Sequence, residues 1–389
     1  MPRWCGCFLG KECFLARLVE KKVTDSMSTE DFYSVVVNSV PLMDVRAPVE
    51  FAAGAFPFAV NLPLMDDSER HRVGKCYKQQ GRDTAIQLAS SLVSGELRAG
   101  RIRAWGEFHR RHPQALFYCF RGGMRSRTAQ EWLRQESDRE VVRLEGGYKA
   151  FRRFLLEALD PGKIRAVPVL LGGRTGAGKT VLLQHLRHAI DLEEIANHRG
   201  SAFGGHLSPQ PTQIDFENRL AYAIIGHGHA GFAHMVLEDE GSYIGARYIP
   251  LELAAYFKRD SMVLLESDMA ERIARTHDEY VVEAQRHYRA LHGDQQGVAL
   301  WLENIGSRLT RIRKRLGSER LQRVLALLDN AHALQLAEGD SSAHRLWIEV
   351  LLREYYDPMY DYQIVKSGRT ISFKGEFHEV LAYLQHLEG

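Results

Sequence analysis

Between residues 36 and 159 short apolar runs alternate with amphipathic stretches. VPLMDVR (40–46) and QALFYC (114–119) are dense in β-branched and aromatic residues and predict strands. DTAIQLASSLVSGEL (83–97) and SRTAQEWLRQ (126–135) repeat apolar positions at helical spacing. VVRLEGG (141–147) reads as a further strand feeding the helix YKAFRRFLLEAL (148–159). This alternation predicts an α/β domain over 29–160. LDPGKIRAVP (159–168) carries two prolines and a glycine and predicts the boundary. A second α/β domain over 165–389 then opens with VPVLLGGRTGAGKTVLLQHLRHAI, a buried strand, a glycine-rich turn and a helix. HMVLEDE (234–240) and SMVLLES (261–267) are apolar without alternation, as in a parallel sheet covered on both faces. Beyond about residue 268 the pattern is mainly helical, and DYQIVKSGRTISFKGE (361–376) predicts a hairpin turning at Ser367 and Gly368.

At 389 residues the chain is too long for one ordinary core. Its 45% hydrophobic and 26% charged residues, with no apolar run of bilayer length, predict a soluble protein rather than a membrane one. Lys plus Arg is 51 against 49 Asp plus Glu, so an anionic partner must be met by local patches. The five cysteines are too sparse for a disulfide framework and fit a reducing cytoplasm. Cys5, Cys7 and Cys13 crowd into MPRWCGCFLGKEC without partners at metal-site spacing or a cleavage site for secretion. Residues 1–28 are expected to be an unstructured or misassigned tail.

YCFRGGMRS (118–126) ends a predicted strand on Cys119 and follows it with Arg121, Gly122, Gly123, Arg125 and Ser126. The glycines let successive backbone N–H groups turn inward into an anion nest, and a helix follows, its start marked by Ser126 or by a Thr128–Glu131 capping box. Such surroundings favour a negatively charged, nucleophilic sulfur and would hold a tetrahedral oxyanion. A buried structural cysteine is the plainer alternative. LMDVRAPVEFAAGAFPFAVNLPL (42–64), with Asp44, Val45, Arg46, Glu50, Phe51, Gly54, Pro57, Ala59 and Asn61, resembles the opening of a rhodanese-like domain. YCFRGGMRS would be its active-site loop, one residue longer than usual. Arg125 stands six positions after Cys119, a spacing shared with cysteine phosphatases.

GRTGAGKT (173–180) meets the P-loop pattern at every fixed position, between a strand and a helix. Gly173, Gly176, Gly178, Lys179 and Thr180 would cradle a diphosphate, with Thr180 placed to ligate Mg2+. Glu238, Asp239 and Glu240 end a strand where a metal-ligating or water-positioning carboxylate is expected, and an acidic surface turn is the alternative. His227, His229 and His234 in GHGHAGFAH read as a loop rather than a metal site. In SRLTRIRKRLGSERLQR, Ile305, Leu309, Ile312 and Leu316 mark one inward face, and basic residues including Arg311 and Arg315 mark another. That basic face suits either solvent or an RNA backbone.

ANHRGSAFGG, LEDEGSYIGARYIP and REYYDPMYDYQ, with the two loops, resemble the tRNA 2-selenouridine synthases from about Thr29 to the C-terminus. The resemblance implies a rhodanese-like domain followed by a P-loop NTPase-like domain with a mainly helical C-terminal extension. It further implies exchange of sulfur for selenium at the wobble 2-thiouridine of Lys, Glu and Gln type tRNAs. Geranyl diphosphate would first alkylate the sulfur, and selenophosphate would then supply selenium through Cys119 as a selenosulfide. The P-loop would hold the diphosphate of the prenyl donor, Arg121 and Arg125 would neutralise selenophosphate, and Arg199 and His198 would contact phosphate or RNA. No tightly bound cofactor, no firm metal site and no membrane partner are expected. A sulfurtransferase or cysteine phosphatase coupled to a P-loop kinase, and an RNA-binding module without catalysis, remain the alternatives.

Overall fold

The computed structural model describes residues 28–137, 141–201, 205 and 207–388; the N-terminal tail with Cys5, Cys7 and Cys13 lies outside them, as do Phe203 and Gly204. The first apolar runs become five short strands: β1 (Ser28–Thr29), β2 (Leu42–Asp44), β3 (Ala59–Asn61), β4 (Leu116–Tyr118) and β5 (Val142–Leu144). They form one parallel sheet in the order β1-β5-β4-β2-β3. Full burial of β2 and β4 explains their unbroken apolar sequence. The expected helix over 83–97 is two helices, Arg82–Leu92 and Gly95–Arg111, separated at Val93 and Ser94, where Gly95 takes φ 54°. Trp105, fully buried, ties the second of these down by donating its indole N–H to the Leu62 carbonyl at 2.9 Å.

The second sheet is also parallel: β6 (Val167–Gly173), β7 (Ala189–Ile190), β8 (His234–Glu238), β11 (Met262–Leu265) and β12 (Ile371–Gly375), in the order β12-β11-β6-β8-β7. A separate antiparallel ribbon pairs β9 (Tyr243–Ile244) with β10 (Arg247–Tyr248). The chain divides into two compact units, one of residues up to Leu159 with Thr212–His229, the other of Asp160–Pro211 with Ala230–Gly389. The break at Leu159 falls in the proline- and glycine-bearing segment. Helix Gln213–Ala230 groups with the first unit, although its sequence lies within the second predicted domain. Its Asp215 accepts from the Ala55 N–H at 2.6 Å, and its Asn218 amide donates to the Ala55 carbonyl at 2.7 Å.

Two local expectations are corrected. Residues 361–376 form no hairpin: helix Asp357–Ser367 ends at Gly368 in the left-handed conformation, and β12 then pairs in parallel with β11. His227 and His229 lie on helix Gln213–Ala230 and His234 begins β8, so that segment is not a loop. Ile305, Leu309, Ile312 and Leu316 are all buried as their spacing required, although the helix is interrupted at Ile312. Among the described residues no helix is long and apolar enough to cross a membrane.

The tightest backbone approach in the first unit is at Gly147, φ 58°, where an added Cβ would lie 2.2 Å from the Cys119 carbonyl oxygen and 2.4 Å from the Gly122 nitrogen. Gly123 has open space around the same position. Gly147→Ala is therefore expected to lower the stability of the first unit by about 2 kcal/mol or more, and Gly123→Ala by less than about 1 kcal/mol. Urea unfolding of the two variants measures the difference.

Candidate active sites

Cys119 follows β4, the central strand of the first sheet, and is buried. Its Sγ lies 3.2 Å from Ser126 Oγ, whose hydroxyl is also 3.2 Å from the Gly123 carbonyl. Gly122 at φ 64° turns the chain so that the helix begins at Met124. Ser126 thus sits inside the first turn rather than capping it, and the Thr128–Glu131 capping box does not form the start. The loop is clamped from β5 and from the helix that follows it, Gly147–Ala158. Tyr148 and Lys149 N–H groups donate to the Cys119 and Phe120 carbonyls at 2.9 and 3.0 Å. Arg143 on β5 donates to the Gly122 carbonyl at 2.9 Å. With its carbonyls engaged, the loop leaves the helix N-terminus beside the sulfur.

Arg125 does not spend its guanidinium on the thiol: both described partners are oxygens of Glu50, one at 3.1 Å. Burial pushes the Glu50 carboxyl up, but the pairing with Arg125, the Ala47 amide and the nearby Arg70 outweigh it and hold it below its ordinary value. Arg121 is exposed, its guanidinium 5.9 Å from the Phe120 ring centroid. Asp44 and Arg46 form a buried bidentate pair, with Arg46 also donating to the Gly54 carbonyl and stacking 3.9 Å from the Tyr148 ring centroid. They are scaffold. Arg143 was missed in the sequence, although a charged residue in the apolar run VVRL was a signal for a buried structural role.

In the second unit, the P-loop follows β6, again the central strand. Gly176 and Gly178 have φ of 78° and 96°, and a Cβ on Gly176 would lie 2.7 Å from Thr276 Oγ1. Lys179 Nζ donates to the Gly173 carbonyl at 3.0 Å, and Thr180 Oγ1 donates to Glu238 Oε1 at 3.1 Å. Helix Met269–His277 holds the loop from behind. Arg272 donates to the Thr175 carbonyl at 2.9 Å, and Arg275 to the Gly176 and Ala177 carbonyls at 3.2 and 3.0 Å. The aromatic-acidic stretch near the C-terminus completes the support. Asp357 pairs with buried Arg272, Asp361 with Arg174, and Tyr360 Oη accepts from the Gly173 N–H at 2.6 Å. Through these contacts Asp357 and Tyr360 hold the loop.

The P-loop lines a cavity of about 950 Å3 that also includes His198, Arg199, Arg311, Arg315 and Tyr356. Arg199 lies 3.9 Å from a Glu279 oxygen. Of the three acidic residues at the end of β8, Asp239 pairs with Arg369 at 2.6 Å, whereas Glu238 and Glu240 gather with Glu193 so that one oxygen of each lies within 4.8 Å of the others. Burial, reinforced by Glu193, lifts the Glu238 carboxyl well above its ordinary value and the Glu240 carboxyl to about 8. Glu238 is 1% exposed, and among the described residues its Oε2 has no hydrogen-bond partner. A buried, unpartnered oxygen beside two further carboxylates and a threonine hydroxyl is a donor set that fits Mg2+. Glu193 had no motif to announce it.

Asp357→Asn removes the carboxylate that neutralises buried Arg272. It is expected to destabilise the second unit by about 3 kcal/mol and to weaken binding of inorganic diphosphate at least tenfold; calorimetric titration with diphosphate checks the second effect.

Residues 30–154 match the rhodanese-like domain family, and residues 166–388 match the tRNA 2-selenouridine synthase AAA domain. A protein of Sulfurovum sp. (strain NBC37-1) named tRNA 2-selenouridine synthase is 49% identical over 92% of this chain and 98% of its own. One of the same name from Bordetella bronchiseptica (strain ATCC BAA-588 / NCTC 13252 / RB50) is 49% identical over 92% of this chain and 97% of its own. A third, from Azotobacter vinelandii (strain DJ / ATCC BAA-1303), is 48% identical over 92% and 96%. The fold is accordingly a rhodanese domain followed by a P-loop domain of AAA type, and the chain belongs to the tRNA 2-selenouridine synthase family.

Proposed function

We propose that the protein replaces the sulfur of wobble 2-thiouridine in Lys, Glu and Gln type tRNAs with selenium, in two steps served by its two loops. In the first, the thiocarbonyl sulfur attacks C1 of geranyl diphosphate: the S–C bond forms, the C–O bond breaks, diphosphate leaves and the ring nitrogen gives up its proton. The P-loop amides and Lys179 bind the diphosphate, so their task is to stabilise the departing anion. Glu238, Glu240 and Glu193 would hold Mg2+ there, which supplies further charge neutralisation. In the second step selenium bonds to the ring carbon and geranyl thiol departs. Alkylation makes this possible, because a thiocarbonyl sulfur is a poor leaving group and a thiol a better one.

Cys119 brings the selenium. The helix N-terminus beside its sulfur and the outward Arg121 suit the selenophosphate anion. Selenium in selenophosphate already stands at the selenide level. Loading it on Cys119 as a selenosulfide needs a two-electron acceptor, a low-molecular-weight disulfide that leaves as two thiols while the P–Se bond is hydrolysed to phosphate. Delivery returns the two electrons when two thiols cleave the S–Se bond and re-form that disulfide, so this route predicts that turnover depends on an added thiol–disulfide couple. Direct attack by selenophosphate, followed by hydrolysis of the P–Se bond, balances with no redox partner and predicts independence of it.

The observation that carries the proposal is the presence, in one chain of this family, of a thiol clamped at a helix N-terminus and a P-loop opening into a cavity large enough for more than a diphosphate. Mass spectrometry of nucleosides digested from tRNA tests it. Cys119→Ser is expected to abolish 2-selenouridine and accumulate the S-geranyl nucleoside; Lys179→Ala is expected to remove both. Normal 2-selenouridine in the Cys119→Ser strain overturns the role of the thiol. Rapid turnover of an aryl phosphate, of thiosulfate with cyanide, or of ATP favours the phosphatase, sulfurtransferase or kinase readings instead.

A further inference from the structure

Beside the Cys119 loop the first unit contains a second opening, a cavity of about 180 Å3 whose walls are almost wholly apolar. Val73, Ile86, Ala89, Val93 and Trp132 line it, with Met124 at its edge. Met124, Arg125, Thr128 and Trp132 reach it from the helix that begins immediately after the Cys119 loop. Ser126, in the same first turn, faces the Cys119 sulfur instead. One helical turn, about 5.4 Å of rise, thus presents the thiol on one side and this cavity on the other. Met124 is 43% exposed and Tyr77 58%, so apolar surface continues to the mouth. Arg82 and Arg125 are the charged groups among the lining residues; Arg125 is paired with Glu50, and Arg82, which reaches the Met124 sulfur at 3.7 Å, keeps its charge at the rim.

Nothing in the sulfur–selenium exchange at Cys119 requires such a space. A dry apolar cavity of about 150 Å3 is enough to take up a benzene-sized hydrocarbon, so this one accepts a branched hydrocarbon chain whose far end extends along Tyr77. The basic rim suits an occupant that is apolar at one end and joined to a polyanion at the other. A prenyl group carried on the base of an RNA strand has that character.

We infer that this cavity holds the geranyl chain of the S-alkylated nucleoside while its ring carbon faces the Cys119 loop. This rests on the two-step reading above. The cavity thereby makes the second step selective: the RNA is admitted when the sulfur has been alkylated, and untreated 2-thiouridine gains nothing from it. It also gives the departing geranyl thiol a non-aqueous place to go.

The test compares two anticodon stem-loop RNAs, one with S-geranyl-2-thiouridine and one with S-methyl-2-thiouridine, as substrates for selenation by the full chain. The wild type is expected to favour the geranyl RNA at least tenfold in kcat/KM. Ala89→Phe places a ring in the cavity from a half-buried position and should bring that ratio near one by raising KM for the geranyl RNA; Ala89→Leu should give an intermediate ratio if the larger substitution impairs folding. Equilibrium titration with the S-geranyl nucleoside alone should show saturable binding that Ala89→Phe weakens to the same extent. Folded Ala89 variants that retain the full preference and the full nucleoside affinity overturn the cavity assignment while leaving the two-step reaction intact. A wild-type protein that selenates neither RNA under conditions where it modifies tRNA in cells overturns the reaction reading and the assigned occupant with it.

Discussion

In each sheet the central parallel strand ends in a loop that turns on left-handed glycine, Gly122 in one and Gly176 and Gly178 in the other, and whose next residues start a helix. That constraint governs both sites. Crevices beyond the carboxyl ends of parallel strands are where such folds bind ligands, because converging amides there meet an anion without a side chain's desolvation cost. One loop adds a thiol, Cys119; the other adds an ammonium, Lys179. The chemistry assigned to the chain follows from that difference on a shared backbone device.

Neither loop is held by its own residues alone. Around Cys119 the carbonyls are occupied by Tyr148, Lys149 and Arg143, and Gly147 is packed so closely that no Cβ fits. Around the P-loop the carbonyls are occupied by Arg272 and Arg275, with Asp357 and Tyr360 fixing the supports. Engaging carbonyls from behind leaves N–H groups as the polar face of each loop. This is how a short helix such as Lys179–Leu183 becomes part of a phosphate site: the orientation comes from the surrounding shell.

Much of this was legible in the sequence where local chemistry decides structure. Apolar runs gave the buried strands, GRTGAGKT gave the P-loop, and the spacing of Ile305, Leu309, Ile312 and Leu316 gave a buried helix face. Errors arose where tertiary pairing decides. Residues 361–376 carried a turn signal at Ser367 and Gly368, but the same left-handed glycine ends a helix as readily as it closes a hairpin. The Thr128–Glu131 spacing was a sound local capping signal overridden by Gly122. The pairing of Arg125 with Glu50, 75 residues away, has no local signature. Glu193 joined the acidic cluster and Ala89 the apolar cavity through packing that leaves no spacing in the chain.

The central claim, that Cys119 receives selenium in a loop built for its anionic donor, is tested most directly on the protein itself. The chain is incubated with selenophosphate and a low-molecular-weight disulfide, the two-electron acceptor that selenosulfide formation requires, in the absence of RNA, quenched, digested without reductant and analysed by mass spectrometry. The account predicts a selenium adduct on the peptide containing Cys119, absent from Cys119→Ser. No adduct under conditions where added tRNA is fully converted to 2-selenouridine would contradict it.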